Sequence, residues 1–487
     1  MSQDGKLFRS TLLLALGQAA SYGLSFLRNM LLARLLTKAD FGLAAVFGMT
    51  IAMLELAGRM SFGQQIIQAK DGDSEAFVAS SHSFQFSLAL AGALLMAGFS
   101  YPLACAFKVP HLTWAFALLA IVPLARSVEN LDYYRRQREL QFLPAVLVEF
   151  VPQAVVTLAA WPMAVWIGDF RVIVVLMLAK AVLGIVMTHA MAARPYRWHW
   201  HTEYFSRMWS FGWPLLINGA LMFAAQQADQ MVVGSFLTLD DLANYALVVS
   251  VVSVPFFVFT QVINSLILPM FSRVQSDPEQ FRRQYRTCMA VVGLGAVWLI
   301  VPLIVTGEQL VSLLFGSKYV GTGPLMAVLG TVCGVRFFRL VPSIAAMARA
   351  DTHNHLQSNI CRSMGLPLAV LVALVGGGAI GVAGAALLSE VAATLVSLLR
   401  LRRKQGIALR DAGAAAAYVL GMLGLALVLV CWNVPQRSYG MAVACLVGIL
   451  LLAAAVAWKA FPHTLGGITQ YALSGVSNSR NGITATW

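Results

Sequence analysis

Residues 211–241 read FGWPLLINGALMFAAQQADQMVVGSFLTLDD. The stretch is apolar and long enough to cross a bilayer, and it ends in a polar turn from Leu237 to Asp241. Inside it sit one acid, Asp229, and three amides, Asn218, Gln226 and Gln227. The same design stands 201 positions earlier. Tyr22 aligns with Phe223, Met30 with Met231, Leu31-Leu32-Ala33 with Val232-Val233-Gly234, and Leu36-Thr37-x-x-Asp40 with Leu237-Thr238-x-x-Asp241. Where the later copy has Asp229, the earlier has Arg28. Two matching helices, one with an internal acid and one with an internal base, point to a two-lobed transporter.

Composition supports a membrane protein. The 487-residue chain is 59% hydrophobic and 11% charged, with a mean hydropathy of +0.75, far outside the soluble range. Apolar runs of about 18 residues or more recur from Thr11 to Ala460, so the expected fold is an all-α polytopic bundle. A β-barrel would show short alternating strands instead. The net charge of +13 does not call for a nucleic-acid partner. Basic residues cluster in every second loop, as expected for segments retained on the cytoplasmic side and facing anionic membrane lipids. Lys6 and Arg9 precede a long apolar run without a short cleavable segment, so an uncleaved first helix is expected.

Fourteen spans are expected, near 11–35, 42–66, 80–101, 112–128, 144–167, 171–190, 211–236, 244–270, 287–306, 324–343, 363–377, 380–399, 413–431 and 440–460. An even number puts both termini on one side, read as cytoplasmic. The N-terminal six-helix lobe is placed at 1–205 and the C-terminal one at 206–400. Six spans per repeat make the lobes a parallel pair about an axis along the membrane normal. Two additional helices over 401–465 look like an appendage, and a polar tail follows at 466–487.

Ionisable groups within spans cost about 2.5–3.5 kcal/mol each on insertion scales, which makes them functional candidates. The reading picks out Arg28, Glu55, Arg59, Lys180, Asp229, Arg336, Arg339 and Glu390. Their basic majority suits an anionic substrate, because a guanidinium can bind two phosphate oxygens at once. Blander roles stand beside this one. Glu55 and Arg59, four apart on one helix, can neutralise each other. Arg336 and Arg339, read as near the inner end of their span, can snorkel to headgroups, and Lys180 can do so less easily. Arg28 and Asp229 are expected to pair, either as a fixed bridge or as one that makes and breaks during transport. Gln226, Gln227, Asn218, Gln261 and Asn264 fit sugar hydroxyls, and equally fit ordinary interhelical hydrogen bonds.

No catalytic constellation emerges. Asp71-Gly72-Asp73 reads as a solvated turn, the His199-x-His201 and His353-x-His355 pairs lack further ligands, and no phosphate loop is present. The six cysteines have packing roles. Neither a resident cofactor nor a metal is expected.

Several stretches resemble the polysaccharide exporters of the MOP (multidrug, oligosaccharidyl-lipid, polysaccharide) superfamily. They are Leu32-Ala33-Arg34-Leu35-Leu36-Thr37-x-x-Asp40-Phe41-Gly42, Gly63-Gln64-Gln65-Ile66-Ile67-Gln68, Pro102-Leu103-Ala104 to Val109-Pro110, Arg138-Glu139-Leu140-Gln141-Phe142, Asp229-x-x-x-Val233-Gly234, Asn244-Tyr245 and Leu268-Pro269-x-x-Ser272-Arg273. The resemblance implies a bacterial inner-membrane flippase for undecaprenyl-diphosphate-linked oligosaccharides, working by alternating access; some relatives couple transport to an ion gradient, which leaves H+ and Na+ as candidate coupling ions. It also implies a polysaccharide polymerase and a chain-length regulator as partners. By position it carries a substrate role onto Arg28, Arg59 and Asp229. Two other readings stay open, a multidrug or cation exporter of the same superfamily and a membrane polymerase or ligase.

Overall fold

A computed structural model describes residues 3–58 and 62–462. Arg59 and the tail at 466–487 lie outside the described residues. Every helix and turn described belongs to an α-helical chain, which divides into two compact units between Ala246 and Leu247.

The first unit contains α1 (Gln3–Leu35), α2 (Lys38–Gly58), α3 (Phe62–Gln68), α4 (Glu75–Ala106), α5 (Thr113–Leu119) and α6 (Ile121–Arg126). It continues with α7 (Asp132–Arg138), α8 (Leu143–Ile167), α9 (Arg171–Met191) and α10 (Thr202–Phe236), and takes in the start of α11 (Leu239–Arg273). Helix α1 lies along α8, α8 along α9, and α10 packs on α2 and α4. Small residues allow these close approaches, as between membrane helices generally. A Cβ on Gly17 of α1 would sit 2.6 Å from Val146 of α8. The apolar interior includes Leu36, Phe47, Ile66, Phe77 and Phe116, while Leu94, Phe99, Leu158 and Trp166 face outward as lipid-facing side chains do.

The aligned turns of the two repeats share one local structure. The Thr37 hydroxyl donates to Asp40 (2.5 Å) and accepts from its amide (3.1 Å). Thr238 and Asp241 repeat both bonds at 2.7 and 3.1 Å. Each pair satisfies an orphan N–H at the start of the next helix, a capping exchange that needs a hydroxyl followed three residues later by a carboxylate. The two starts also touch, because Gly42 lets α2 approach the Leu239 carbonyl where a Cβ would clash.

The second unit holds the rest of α11, then α12 (Pro278–Val305), α13 (Gly307–Phe315), α14 (Gly323–Ala348), α15 (Thr352–Ser363), α16 (Gly365–Leu374), α17 (Gly378–Gln405), α18 (Arg410–Cys431) and α19 (Tyr439–Ala460). Asp277 caps α12 by accepting from the Glu279 and Gln280 amides at 2.9 and 3.0 Å, with Pro278 in the first turn. Helix α14 is the central column: 78% of its apolar window is buried, against 22% for α19 at the periphery.

By length and hydropathy, nine described helices can cross a membrane, or ten if the bent α10 counts as one span. The expected total of fourteen is therefore approximate. The other runs fall on α1, α2 and the broken pairs α5–α6 and α15–α16. The last hairpin is no loose appendage, since α18 packs on both α12 and α14. Gly334 of α14 admits Leu423 of α18, with a would-be Cβ only 2.5 Å away. Asp411 at the head of α18 is buried against Arg286 (2.5 Å) and Arg282 (3.5 Å) of α12.

Candidate functional site

The first unit carries a half-open cavity of about 730 Å³, within the range of small-molecule sites. Its wall draws on α2 (Glu55), α3 (Gln64), α4 (Gln85), the end of α6 (Arg126), the α6–α7 connection (Ser127, Glu129), α7 (Tyr133, Tyr134) and α10 (Asn218, Gln226). Gly63 is required here, because a Cβ would strike the Tyr134 ring. The neighbouring Tyr133 ring lies 4.1 Å from Tyr134, centroid to centroid. Gly184 of α9 leaves room for the Glu129 carboxylate, which would lie 2.9 Å from a Cβ there.

Arg126 is the electrostatic centre of this wall. Its Nη1 meets Glu55 Oε1 at 2.5 Å and its Nε lies 3.9 Å from Glu129 Oε1. The Gln85 amide donates to its carbonyl oxygen at 3.4 Å. Carboxylates, a guanidinium, amides and phenols together offer donors and acceptors suited to a hydroxyl-rich ligand.

Of the residues singled out in the sequence, Glu55, Asn218 and Gln226 line this cavity. Gln227 accepts from Gln230 at 2.9 Å. Asp229 accepts from Tyr245 Oη at 2.9 Å and from the Gln230 amide. The expected Arg28–Asp229 bridge is not formed: among the described residues no ion pair joins them, and Arg28 Nη2 donates instead to Asn29 at 3.4 Å. Glu55 pairs with Arg126 at 2.5 Å, and the expected Glu55–Arg59 pair falls outside the described residues. Lys180 binds Glu149 of α8 at 2.9 Å. Gln261 and Asn264 belong to the second unit, where both are exposed on α11.

Arg336 and Arg339 both meet Glu390. Helix α14 runs to Ala348, so both arginines stand near its middle and not at its end. Glu390 of α17, its side chain 1% exposed, receives Arg339 Nε on Oε1 at 2.6 Å. Its Oε2 receives Arg336 Nε at 3.2 Å and Arg362 Nε at 3.3 Å. Arg336 additionally lies over the Phe256 ring at 5.7 Å.

Arg126, Glu129, Glu149 and Arg362 were missed in the sequence. The signal for Arg126 and Glu149 was present, because both fall inside the runs 112–128 and 144–167. Arg362 lay one residue before the run 363–377, and α15 in fact extends that span back to Thr352. Glu129 follows its run by one residue and carries no such mark.

The Asp71-Gly72-Asp73 turn is more than solvated. Arg207 grips Asp71 with two bonds of 2.8 and 3.0 Å, and Asp73 faces Arg194 (3.3 Å) and Arg135 (3.6 Å). The Arg207 hydrogen bonds hold the Asp71 carboxyl below the ordinary carboxylate range.

An all-helical polytopic bundle with buried charges and a cavity that presents charged and amide side chains defines a membrane-transporter architecture, and comparison with known proteins agrees. The chain matches the lipid II flippase MurJ, inward closed conformation, with a TM-score of 0.71 at 14% identity over 92% of this chain and 99% of that one. It matches an inward-facing multidrug-resistance MATE family transporter of the MOP superfamily with a TM-score of 0.60 at 12% identity, over 82% and 98%. The profile described as polysaccharide biosynthesis protein covers residues 31–324, and the chain belongs to that family. The lipopolysaccharide biosynthesis protein WzxC of Escherichia coli (strain K12) is 22% identical over 411 residues, 77% of this chain and 76% of the relative.

Proposed function

We propose that the protein is an inner-membrane flippase for undecaprenyl-diphosphate-linked oligosaccharide units used in O-antigen, capsule or exopolysaccharide assembly. Membership of the polysaccharide biosynthesis protein family over residues 31–324 carries this reading. A cavity in the first unit that presents charged and amide side chains supports it. Transport of such a substrate needs hydroxyl-binding groups for the glycan, cations for the diphosphate and a bilayer for the lipid tail. Glu55, Gln64, Arg126, Asn218 and Gln226 supply the first, and Arg28, Arg59, Arg336 and Arg339 are the candidates for the second. The two lobes work by alternating access, with both termini cytoplasmic and H+ or Na+ as the coupling ion. Each substrate-bound state must make contacts that the other lacks, or binding shifts nothing. A polymerase and a chain-length regulator take up the product.

The deciding experiment measures lipid-linked units and surface polymer in a deletion strain. Build-up of complete lipid-linked units with loss of surface polymer is the expected result. Normal lipid-linked units and normal polymer overturn it.

One observation favours a second reading. Among the described charged residues of the cavity wall, Glu55 and Glu129 outnumber Arg126, which suits a cationic substrate and hence a cation or drug exporter. In that case the deletion strain keeps its glycans and loses tolerance to cationic compounds.

A further inference from the structure

We propose that Glu129 is a proton-binding residue of the cavity in the first unit, protonated in the state described here and ionised in another, where it draws Arg126 away from Glu55. The proposal rests on the flippase reading only for what the proton is coupled to.

Glu129 stands in the connection between α6 and α7 and lines the cavity, yet its side chain is only 18% exposed. Its Oε1 lies against Gly184 of α9, where a Cβ would come within 2.9 Å. Among the described residues its carboxyl group accepts no hydrogen bond, and its single ion pair is the loose approach of Arg126 Nε at 3.9 Å. That guanidinium is committed to Glu55 of α2, at 2.5 Å.

The other charged and titratable groups around Glu129 are also engaged. Lys180 of α9 binds Glu149 of α8 at 2.9 Å. His189 of α9 meets the Val128 carbonyl at 2.9 Å, and His82 of α4 accepts from the Leu131 amide at 3.1 Å. Tyr133 and Tyr134 of α7 bring phenols to the wall, while α4 and α10 bring amides. An ionised carboxylate so buried and without a hydrogen bond is costly, and a proton removes the cost. Burial accordingly pushes the Glu129 carboxyl up to about 7, against the opposing pull of Arg126, and Glu149 and Glu55 add to the rise.

The half-open cavity gives the proton a route. When Glu129 releases it to solvent entering there, the carboxylate left behind attracts Arg126, and the hold of that guanidinium on Glu55 weakens. A contact between α6 and α2 is thereby exchanged for one with the α6–α7 connection, the differential contact that a change of state requires. Among the described charged residues of the wall, Arg126 and Glu55 balance while Glu129 is protonated, and the wall turns acidic when it ionises. Proton occupancy thus sets the charge that a substrate meets.

The test uses full-length protein in phosphatidylcholine nanodiscs and infrared difference spectra recorded across a pH titration. The readout is the carbonyl stretch of a protonated carboxyl group, identified by its shift in D2O. A band titrating with a midpoint near neutrality is expected, lost in E129Q and kept in E55Q and E149Q. A band that persists in E129Q, or a midpoint below about pH 5, close to that of a free carboxyl, overturns the proposal. R126Q decides the matter if E129Q does not fold: loss of the nearby cation is expected to move the midpoint upward by about one pH unit, and an unmoved midpoint overturns the proposal. Replacing choline chloride by sodium chloride is expected to leave the midpoint in place. A midpoint that falls as sodium rises assigns the site to a metal cation and overturns the proton assignment. The spectra are independent of the deletion strain. Titration at Glu129 without build-up of lipid-linked units keeps the proton site and removes the flippase reading, and the reverse pattern removes only the site.

Discussion

Tyr245 Oη of α11 donates to Asp229 Oδ2 of α10 across 2.9 Å. The bond closes the helical hairpin whose turn is capped by Thr238 and Asp241, and it occupies the acid that aligns with Arg28 in the other repeat. Asp229 is thus held by its own hairpin in this state and not by the base opposite it in the alignment.

If Asp229 acts through its charge, D229N abolishes surface-polymer export while the amount of inserted protein is unchanged. Y245F removes one hydrogen bond, at a cost of about 0.5–1.5 kcal/mol, and only reduces export. Immunoblots of membranes beside polymer assays check both. Unimpaired export in D229N removes Asp229 from the mechanism.

Arg126 separates two carboxylates in the cavity wall. R126M leaves Glu55 without that guanidinium. The Arg126 and Glu55 side chains are 32% and 30% exposed. The expected loss therefore lies between the ~0–1 kcal/mol of an exposed pair and the ~3–5 kcal/mol of a buried one. Adding E55Q to R126M recovers part of the loss, because the stranded charge is gone. Thermal unfolding of the two single variants and the double variant measures the coupling.

Gly42 faces the Leu239 carbonyl so closely that a methyl group cannot be added in place. G42A is expected to cost about 1–3 kcal/mol through overpacking. A larger side chain at the same position should cost more. A melting temperature unchanged in G42A would show that the two helix starts can move apart freely.

Asp351, in the connection between α14 and α15, takes Arg400 Nη2 at 2.7 Å and Arg400 Nε at 2.9 Å. These hydrogen bonds from Arg400 hold its carboxyl below the ordinary carboxylate range. A depressed carboxyl stabilises the folded state above its unfolded pKa, near 4, and the contribution is lost as pH falls through the folded value. D351N should therefore be less stable than the unaltered protein at neutral pH, and the two should converge in acid. A constant difference between pH 7 and pH 3 would contradict the assignment.

Much of the architecture was legible in the sequence because membrane helices announce themselves by length and hydropathy, and because the repeat aligned the turns at Thr37 and Thr238. The partners of the charges were not legible. Pairing Arg28 with Asp229 followed from their matching positions, but an alignment does not bring its matched residues into contact. Glu55 meets Arg126 from 71 residues away, a partner that no local spacing announces. The polar run Thr352–Ser363 read as a loop. It is a helix because Asn354, fully buried, spends its amide and carbonyl on Ser397 of α17 at 2.9 and 2.7 Å. Such polar helix contacts have no signature in hydropathy.

The fastening of α18 to α12 through Asp411 bears on biosynthesis. Arg282 and Arg286 are inserted more than a hundred residues before the acid that neutralises them, so the second unit is translated with two cations awaiting a late partner. Ribosomes that stop before Asp411 release a product with that part of its packing unfinished. Quality-control proteases should therefore remove chains truncated in the α17–α18 connection, leaving any defect visible as missing protein before it is visible as missing polysaccharide.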